Sequence, residues 1–197
     1  MSDSAPVLTV RNLGFGHPGE PPLLRALSFD LRPGVTLLRG DSGSGKTSLL
    51  RVLAGEWQGS GELVRHGPGE PCWFDPRDAR FDALTAEGMM EVVRERHARL
   101  DPSDWRRHLG GFELAPHLHK PMYALSRGSR QKVALAAALS SASSLILLDE
   151  PAAGLDSTSI RYLTTVLAGF GVHTGQALAM VCSQELDGLN PAGVIDL

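Results

Sequence analysis

The stretch Gly40-Asp41-Ser42-Gly43-Ser44-Gly45-Lys46-Thr47 decides the fold of this chain. It matches the phosphate-binding P-loop pattern in full: a glycine, four residues, then Gly-Lys-Thr. Glycines let such a loop curl so that its N–H groups face phosphates, and the following helix start adds a partial positive charge. Lys46 is predicted to reach the β- and γ-phosphates of a nucleotide and to act in catalysis, and Thr47 to ligate magnesium. Ser48 is predicted to be a further binding residue. The alternative is a glycine turn with an incidental lysine.

The flanking sequence favours the phosphate loop over that turn. Residues 35–38 are a nearly continuous apolar run, typical of a strand buried on both faces of a sheet. Residues 47–54 carry leucines and a valine at helical spacing, and Gly55 offers a C-terminal stop. Strand, loop and helix therefore follow in the order that the mechanism requires.

A second candidate site element is the apolar run 145–148, which ends in Asp149 and Glu150. An aspartate at a strand end suits a magnesium ion, and the glutamate beside it suits a base that deprotonates the attacking water. Acidic residues that merely end a strand are the alternative, and the presence of a P-loop makes it the weaker one.

The remaining pattern predicts alternating strands and helices. Strands are expected at 7–10, 27–31, 61–64, 177–182 and 194–197, and helices at 85–100, with Thr85 as N-cap, 103–109, 126–138 and 157–167. This order predicts an α/β domain with a mainly parallel sheet and its ligand at the carboxyl ends of the strands. The nucleotide-binding core is predicted at about 1–75 and 126–197, and a small helical subdomain at about 76–125.

Composition narrows the classes of function. The 197 residues fit one soluble domain, with 42% apolar and 21% charged residues. A net charge of −3 offers no general attraction for nucleic acid, and the arginines of 94–107 alternate with acidic residues, which favours a solvated helix face over a polyanion site. Cys72 and Cys182 lie far apart without metal-ligand spacing, as in a reducing compartment. We see no signal-peptide pattern at 1–6 and no apolar run of about 20 residues, so we expect another chain to supply any membrane-spanning helices.

Two further segments carry a family resemblance. Residues 125–133 read Leu-Ser-Arg-Gly-Ser-Arg-Gln-Lys-Val, and residues 151–156 read Pro-Ala-Ala-Gly-Leu-Asp. They resemble the signature and the D-loop of the ABC ATPases. Together with the P-loop, they make the chain similar to the nucleotide-binding domain of that family over nearly its whole length. The resemblance implies that Ser126 and Gly128 bind the γ-phosphate of ATP held by an opposite subunit, and that Asp156 lies at the dimer interface. Taken alone, the two segments would be an ordinary helix cap and an ordinary turn.

Five positions depart from the family pattern or fill it with another residue. His17 stands where the family carries an aromatic residue that stacks on adenine, although an exposed loop histidine fits the sequence as well. Gln184 stands where the switch histidine is expected, and it lacks the charge of an imidazolium. Asp75 is the nearest match to the Q-loop glutamine and a candidate magnesium contact, or else a turn residue before proline. Arg127 and Ser129 also replace the usual glycine and glutamine of the signature.

The resemblance implies a P-loop NTPase sheet core with a small antiparallel β subdomain and a short helical subdomain. It implies an ATPase that uses ATP and Mg²⁺, with slow turnover because the switch histidine and Q-loop glutamine are not matched. The implied partners are a second ABC ATPase subunit, paired head to tail, and integral membrane transporter subunits, at the cytoplasmic face of a membrane. Two alternatives remain at this point: a degenerate subunit that binds ATP with little hydrolysis, and a soluble ABC ATPase outside transport.

Overall fold

The computed structural model describes residues 4–16, 19–97, 99–171 and 174–197. Its strands are β1 (Leu8–Phe15), β2 (Leu24–Leu31), β3 (Gly34–Arg39), β4 (Ser60–Arg65), β5 (Cys72–Trp73), β6 (Leu145–Asp149), β7 (Ala177–Val181) and β8 (Gly193–Asp196). Its α-helices are α1 (Lys46–Ala54), α2 (Ala86–Arg96), α3 (Pro102–Gly111), α4 (Arg127–Ser140) and α5 (Ser157–Ala168). Short 3₁₀ turns occur at Ala79–Phe81, Ala115–His117 and Met122–Ala124.

The strands form two sheets. The larger is parallel, in the order β5-β6-β7-β3-β8, and the smaller is antiparallel, in the order β2-β1-β4. Strand β4 therefore returns as an edge strand, as the sequence predicts for residues 61–64. The α/β class with a parallel core and a small antiparallel sheet is confirmed.

Strand β6 shows how the parallel sheet separates two apolar cores. Leu145 and Leu147 contribute to a core shared with α1 and the antiparallel sheet, whereas Ile146 and Leu148 contribute to a core shared with the other helices. All four side chains are buried. Successive side chains of a strand point to opposite faces, so an unbroken apolar run is what a strand covered on both sides needs.

Local capping signals place the helix starts. The Thr85 hydroxyl accepts from the Gly88 N–H at 3.2 Å, and α2 begins directly afterwards.

The predicted helices and most strand positions are confirmed within one to a few residues, but the two-residue strand β5 was not predicted. So short a strand carries no periodicity, and it is defined only by its pairing with β6.

Helices α2 and α3 lie inside the range 76–125, and both pack on α4 through one continuous apolar cluster. The bounds of a separate helical subdomain stay a prediction. Within the described ranges, none of the helices combines the length and apolarity required to span a bilayer.

Candidate functional site

The loop between β3 and α1 is shaped by its glycines. Gly40, Gly43 and Gly45 have φ values of 147°, 83° and 100°, which lie in the region that favours glycine. A Cβ at Gly40 would lie 2.6 Å from Ser44 Oγ and 2.7 Å from the Leu197 carbonyl oxygen. The loop therefore curls in a way that side chains at these positions would prevent.

Polar groups inside this loop are arranged as a phosphate cradle requires. Lys46 Nζ donates to the carbonyl oxygens of Gly40, at 2.8 Å, and Asp41, at 2.6 Å, so its ammonium group lies across the loop. Ser44 Oγ is buried and has no hydrogen-bond partner among the described residues. An unpaired buried hydroxyl beside Gly40, where a Cβ would collide with it, fits a loop whose polar groups bind a phosphate.

The start of α1 meets the end of β6. The Thr47 hydroxyl donates to Asp149 Oδ2 at 2.9 Å, although the two residues are 102 positions apart in sequence. Burial raises the pKa of Asp149, and the Thr47 hydrogen bond and the positive charge of Arg77 act in the opposite direction. A hydroxyl and a carboxylate at this spacing offer oxygen ligands of the kind magnesium prefers.

Glu150 follows β6 with a positive φ of 48°, an uncommon conformation for a residue with a side chain. Its Oε2 accepts from the backbone N–H of Ser183 at 2.9 Å and from the Ser183 hydroxyl at 2.8 Å. The strained backbone and the two hydrogen bonds together hold the carboxylate at the carboxyl edge of the sheet. The sequence interpretation identified Glu150 and did not identify Ser183, which follows β7 by two residues and carries no motif of its own.

One cleft of 1220 Å³ connects these groups. It is lined by most of the loop from Gly40 to Ser48, by Asp149 and Glu150, and by residues 180–189. Gln184 lies exposed on this last segment, and its carbonyl oxygen accepts from Cys182 Sγ at 3.0 Å. The structure thus brings Gln184 to the same cleft as the P-loop and the two carboxylates.

Asp75 lies between two arginines. It pairs with Arg77 at 2.9 Å and with Arg51 of α1 at 3.3 Å. Burial acts to raise the pKa of Asp75, but hydrogen bonds from Arg77 and the two positive charges outweigh it and leave the pKa below its usual value. Arg77, which the sequence interpretation did not identify, lines the cleft, and its Nη2 lies 3.9 Å from Asp149 Oδ2.

Ser126 and Gly128 lie apart from that cleft. Ser126 caps α4 by accepting from the Ser129 N–H at 3.1 Å, and its side chain is exposed. A Cβ at Gly128 would lie 2.4 Å from the Gly154 carbonyl oxygen, so the start of α4 packs closely on the loop after β6. These residues are not among those that line the cleft.

Comparison with known proteins places this arrangement in a family. The family model described as "ABC transporter" matches residues 24–153, which include the P-loop, Ser126 and the Asp149-Glu150 pair. The chain belongs to the ABC transporter family. It is an ATP-binding subunit of that family, as the resemblance of the signature and the D-loop implied.

Two relatives of this ABC subunit align with it over most of its length. The cytochrome c biogenesis ATP-binding export protein CcmA of Bordetella bronchiseptica is 33% identical, covering 94% of this chain and 92% of its own. The zinc import ATP-binding protein ZnuC 1 of Hahella chejuensis is also 33% identical, over 83% of this chain and 63% of the relative.

Solved structures support the same fold. One described as the structure of the ATP-binding subunit of an ABC transporter has a TM-score of 0.77 at 21% identity, covering 89% of this chain and 79% of its own. A Pyrococcus furiosus ABC transporter ATP-binding protein has a TM-score of 0.75 at 19% identity and covers 96% of each chain.

The predicted adenine contact and the predicted magnesium site complete the set of expected contacts of this ABC subunit. His17, the proposed adenine contact, lies outside the described residues. Among the described residues, no group of three or more His, Cys, Asp or Glu side chains is arranged to hold a metal ion. Magnesium in phosphate-binding sites usually retains several waters and phosphate oxygens, so one or two protein oxygens, such as those of Thr47 and Asp149, fit the predicted ion.

Proposed function

We propose that this chain binds and hydrolyses Mg-ATP in the cleft between the P-loop and the end of β6, and that it powers a membrane transporter. The observation that carries the proposal is the 2.9 Å hydrogen bond between Thr47 and Asp149. It joins the phosphate loop to the carboxylate pair, which lie far apart in the chain. Binding of ATP is a property of the family.

The P-loop residues Gly40 to Ser48 bind the phosphates of ATP. The backbone N–H groups of the loop and the α1 N-terminus face the anion, and Lys46 exchanges its carbonyl contacts for the β- and γ-phosphates. Thr47 and Asp149 would hold magnesium, which would neutralise part of the negative charge of the phosphates. The prediction that Asp75 also contacts the metal requires Arg77 or Arg51 to release a carboxylate oxygen.

Glu150 acts as the general base toward the attacking water. Its carboxylate already lies in the cleft, where the Ser183 hydrogen bonds fix its direction. We propose that turnover is slow, because Gln184 donates a hydrogen bond without a positive charge and because Asp75 stands where the family has the Q-loop glutamine. Gln184 then orients the water or the terminal phosphate.

A second subunit completes the site. Ser126 and Gly128 are outside this subunit's own cleft, and Ser126 is exposed at the N-terminus of α4. A helix N-terminus suits a phosphate of ATP held by an opposite subunit, so the two chains pair head to tail. Asp156 caps α5 and pairs with Lys132 of α4 at 2.6 Å, which fixes the D-loop beside the signature helix at the proposed interface. ATP binding closes this interface and hydrolysis opens it.

Transport requires integral membrane subunits. The relatives named as an export protein and as a zinc import protein support a transporter role. We propose that this subunit binds the cytoplasmic face of such a partner and converts closure of the ATPase pair into motion of the partner's helices. Nothing in the charge pattern favours a nucleic acid partner.

Steady-state ATP hydrolysis by the purified complex tests the proposal. Wild type is expected to hydrolyse Mg-ATP, and Lys46→Ala and Glu150→Gln are expected to abolish turnover. Lys120→Ala is the matched control, because Lys120 is exposed and does not line the cleft. Lys120→Ala should retain the wild-type rate.

The outcomes separate the proposed functions. Equal and negligible rates in wild type and Glu150→Gln, with Mg-ATP still bound, would replace the enzyme by a subunit that only binds ATP. Isolation of a stable complex with soluble proteins and no integral membrane protein would contradict the transporter role.

A further inference from the structure

The segment after β5 contains two consecutive Asp-x-Arg units with the same local geometry. The Arg77 N–H and Nε both donate to Asp75 Oδ1 at 2.9 Å. The Arg80 N–H donates to Asp78 Oδ1 at 2.9 Å, and Arg80 Nε donates to Asp78 Oδ2 at 2.8 Å. The two arginine side chains are 67% and 69% exposed. Local sequence therefore produces the same carboxylate-arginine pair twice.

Tertiary packing gives the two units different surroundings. Asp75 is only 13% exposed and also pairs with Arg51, so the carboxylate that Arg77 holds is fixed to helix α1, which follows the P-loop. Arg77 lines the nucleotide cleft beside Asp149. Arg80 instead lies 3.9 Å from Glu56, and it is not among the residues that line the cleft.

The charge of Arg77 lies where the cleft has few other cations. Of the described residues that line the cleft, only Arg39, Lys46 and Arg77 carry a positive charge. The Lys46 ammonium group is next to the P-loop carbonyls, and Gln184, which also lines the cleft, is uncharged. The cation beside Asp149 is therefore Arg77, with its guanidinium 3.9 Å from that carboxylate.

We propose that Arg77 donates hydrogen bonds to the terminal phosphate of bound ATP, and that Asp75 is the positioning residue that aims it. A guanidinium that holds one carboxylate through Nε and Nη2 still has the Nη1 donors for a second anion. The inference rests on the proposed ATP site. It assigns to Arg77 the positive charge that Gln184 does not supply, and it makes Asp75 act on the nucleotide through Arg77 rather than as a metal ligand.

Calorimetric titration of the full chain with Mg-AMP-PNP and with Mg-ADP tests the role of Arg77. Arg77→Ala is expected to weaken Mg-AMP-PNP binding about tenfold, the size of one charge-assisted hydrogen bond, and to leave Mg-ADP binding within about twofold. Arg77→Lys should restore part of the loss, because it keeps the charge without the fork. Arg80→Ala is the matched control and should bind both nucleotides as wild type does.

Three results would overturn the inference: an unchanged affinity in Arg77→Ala, an equal loss for both nucleotides, or the same loss in Arg80→Ala. Wild-type protein that binds neither nucleotide would instead reject the proposed ATP site itself. Because Arg77 is largely exposed, thermal unfolding of each variant should match wild type and exclude misfolding as the cause.

The positioning role of Asp75 has its own test in a double-mutant cycle. Asp75→Asn alone is expected to weaken Mg-AMP-PNP binding, and Asp78→Asn, its counterpart in the second unit, is not. In the Arg77→Ala background, Asp75→Asn should add no further loss. An additional, independent loss there would show that Asp75 acts directly on the metal or the nucleotide, and it would contradict the positioning role.

Discussion

Gly128→Ala is the substitution whose effect the structure fixes most closely. Gly128 lies in the first turn of α4, and a Cβ at this position would lie 2.4 Å from the Gly154 carbonyl oxygen. Ordinary contact begins near 3.4 Å, so the helix start and the loop at Gly154 must separate by about 1 Å. The neighbouring atom is backbone and cannot rotate away as a flexible side chain would.

Two opposing contributions set the change in the free energy of unfolding of Gly128→Ala. Replacing glycine by alanine inside a helix stabilises it by roughly 1 kcal/mol, whereas forcing extra volume into a close contact costs typically about 1–3 kcal/mol. The net expectation is a loss of up to about 2 kcal/mol in the free energy of unfolding, or up to about 8 °C in Tm for a chain of this length. ATP hydrolysis should fall as well, because Ser126 at the helix start and the loop at Gly154 move apart.

Thermal and urea unfolding of Gly128→Ala beside Gly110→Ala measures this balance. Gly110 lies in α3, and a Cβ added there would meet no atom of a neighbouring element within 4 Å, so Gly110→Ala has the helical gain without the collision. It should be as stable as wild type or more stable, and it should keep the wild-type hydrolysis rate. If Gly128→Ala gains stability as Gly110→Ala does, the collision argument is refuted.

Three other perturbations have defined outcomes. Glu150→Gln should lower the hydrolysis rate by at least about 100-fold while Mg-ATP still binds, measured by turnover and calorimetry, and a wild-type rate would exclude Glu150 as the base. Burial lowers the pKa of His108 to about 4, from an ordinary value of 6.5. Between these two pH values the imidazole is protonated in the unfolded chain and neutral in the folded chain. Stability should therefore fall by up to about 3 kcal/mol as pH drops from 6.5 to 4, and urea unfolding of His108→Gln should lack this part of the slope. Asp156→Ala should lower the free energy of unfolding by about 1 kcal/mol, because α5 loses its N-cap. Lys132→Met should lower it by less, because Asp156, the carboxylate partner of Lys132, is half exposed. The reverse order in urea unfolding would contradict the capping argument.

Sequence reasoning was most successful where structure depends on neighbouring residues. Thr85 and Ser126 were expected at helix starts, and both accept a hydrogen bond from a backbone N–H within the first turn. The roles of His17 and Gln184 depended on the family resemblance, because a single loop residue carries no periodicity or capping signal. They stay predictions, as do the boundaries of the helical subdomain.

The sequence could not distinguish Arg77 from Arg80. Both follow an aspartate by two positions, and both form the same local pair with it. In the folded chain Asp75 pairs with Arg51 of α1, and Arg77, unlike Arg80, lines the cleft. Ser183 was missed for the same reason, since its hydrogen bonds to Glu150 span 33 positions.

By itself the sequence determined the strand, the glycine loop and the helix around Lys46, because backbone freedom at glycine and apolar periodicity act over a few consecutive residues. The tertiary structure alone decided which carboxylates, hydroxyls and arginines meet in the cleft. Parallel strands are joined by long crossovers, so groups at their carboxyl ends come together only when the sheet has formed. The Thr47–Asp149 hydrogen bond across 102 positions is the clearest case, and the chemistry proposed for this ABC subunit depends on it.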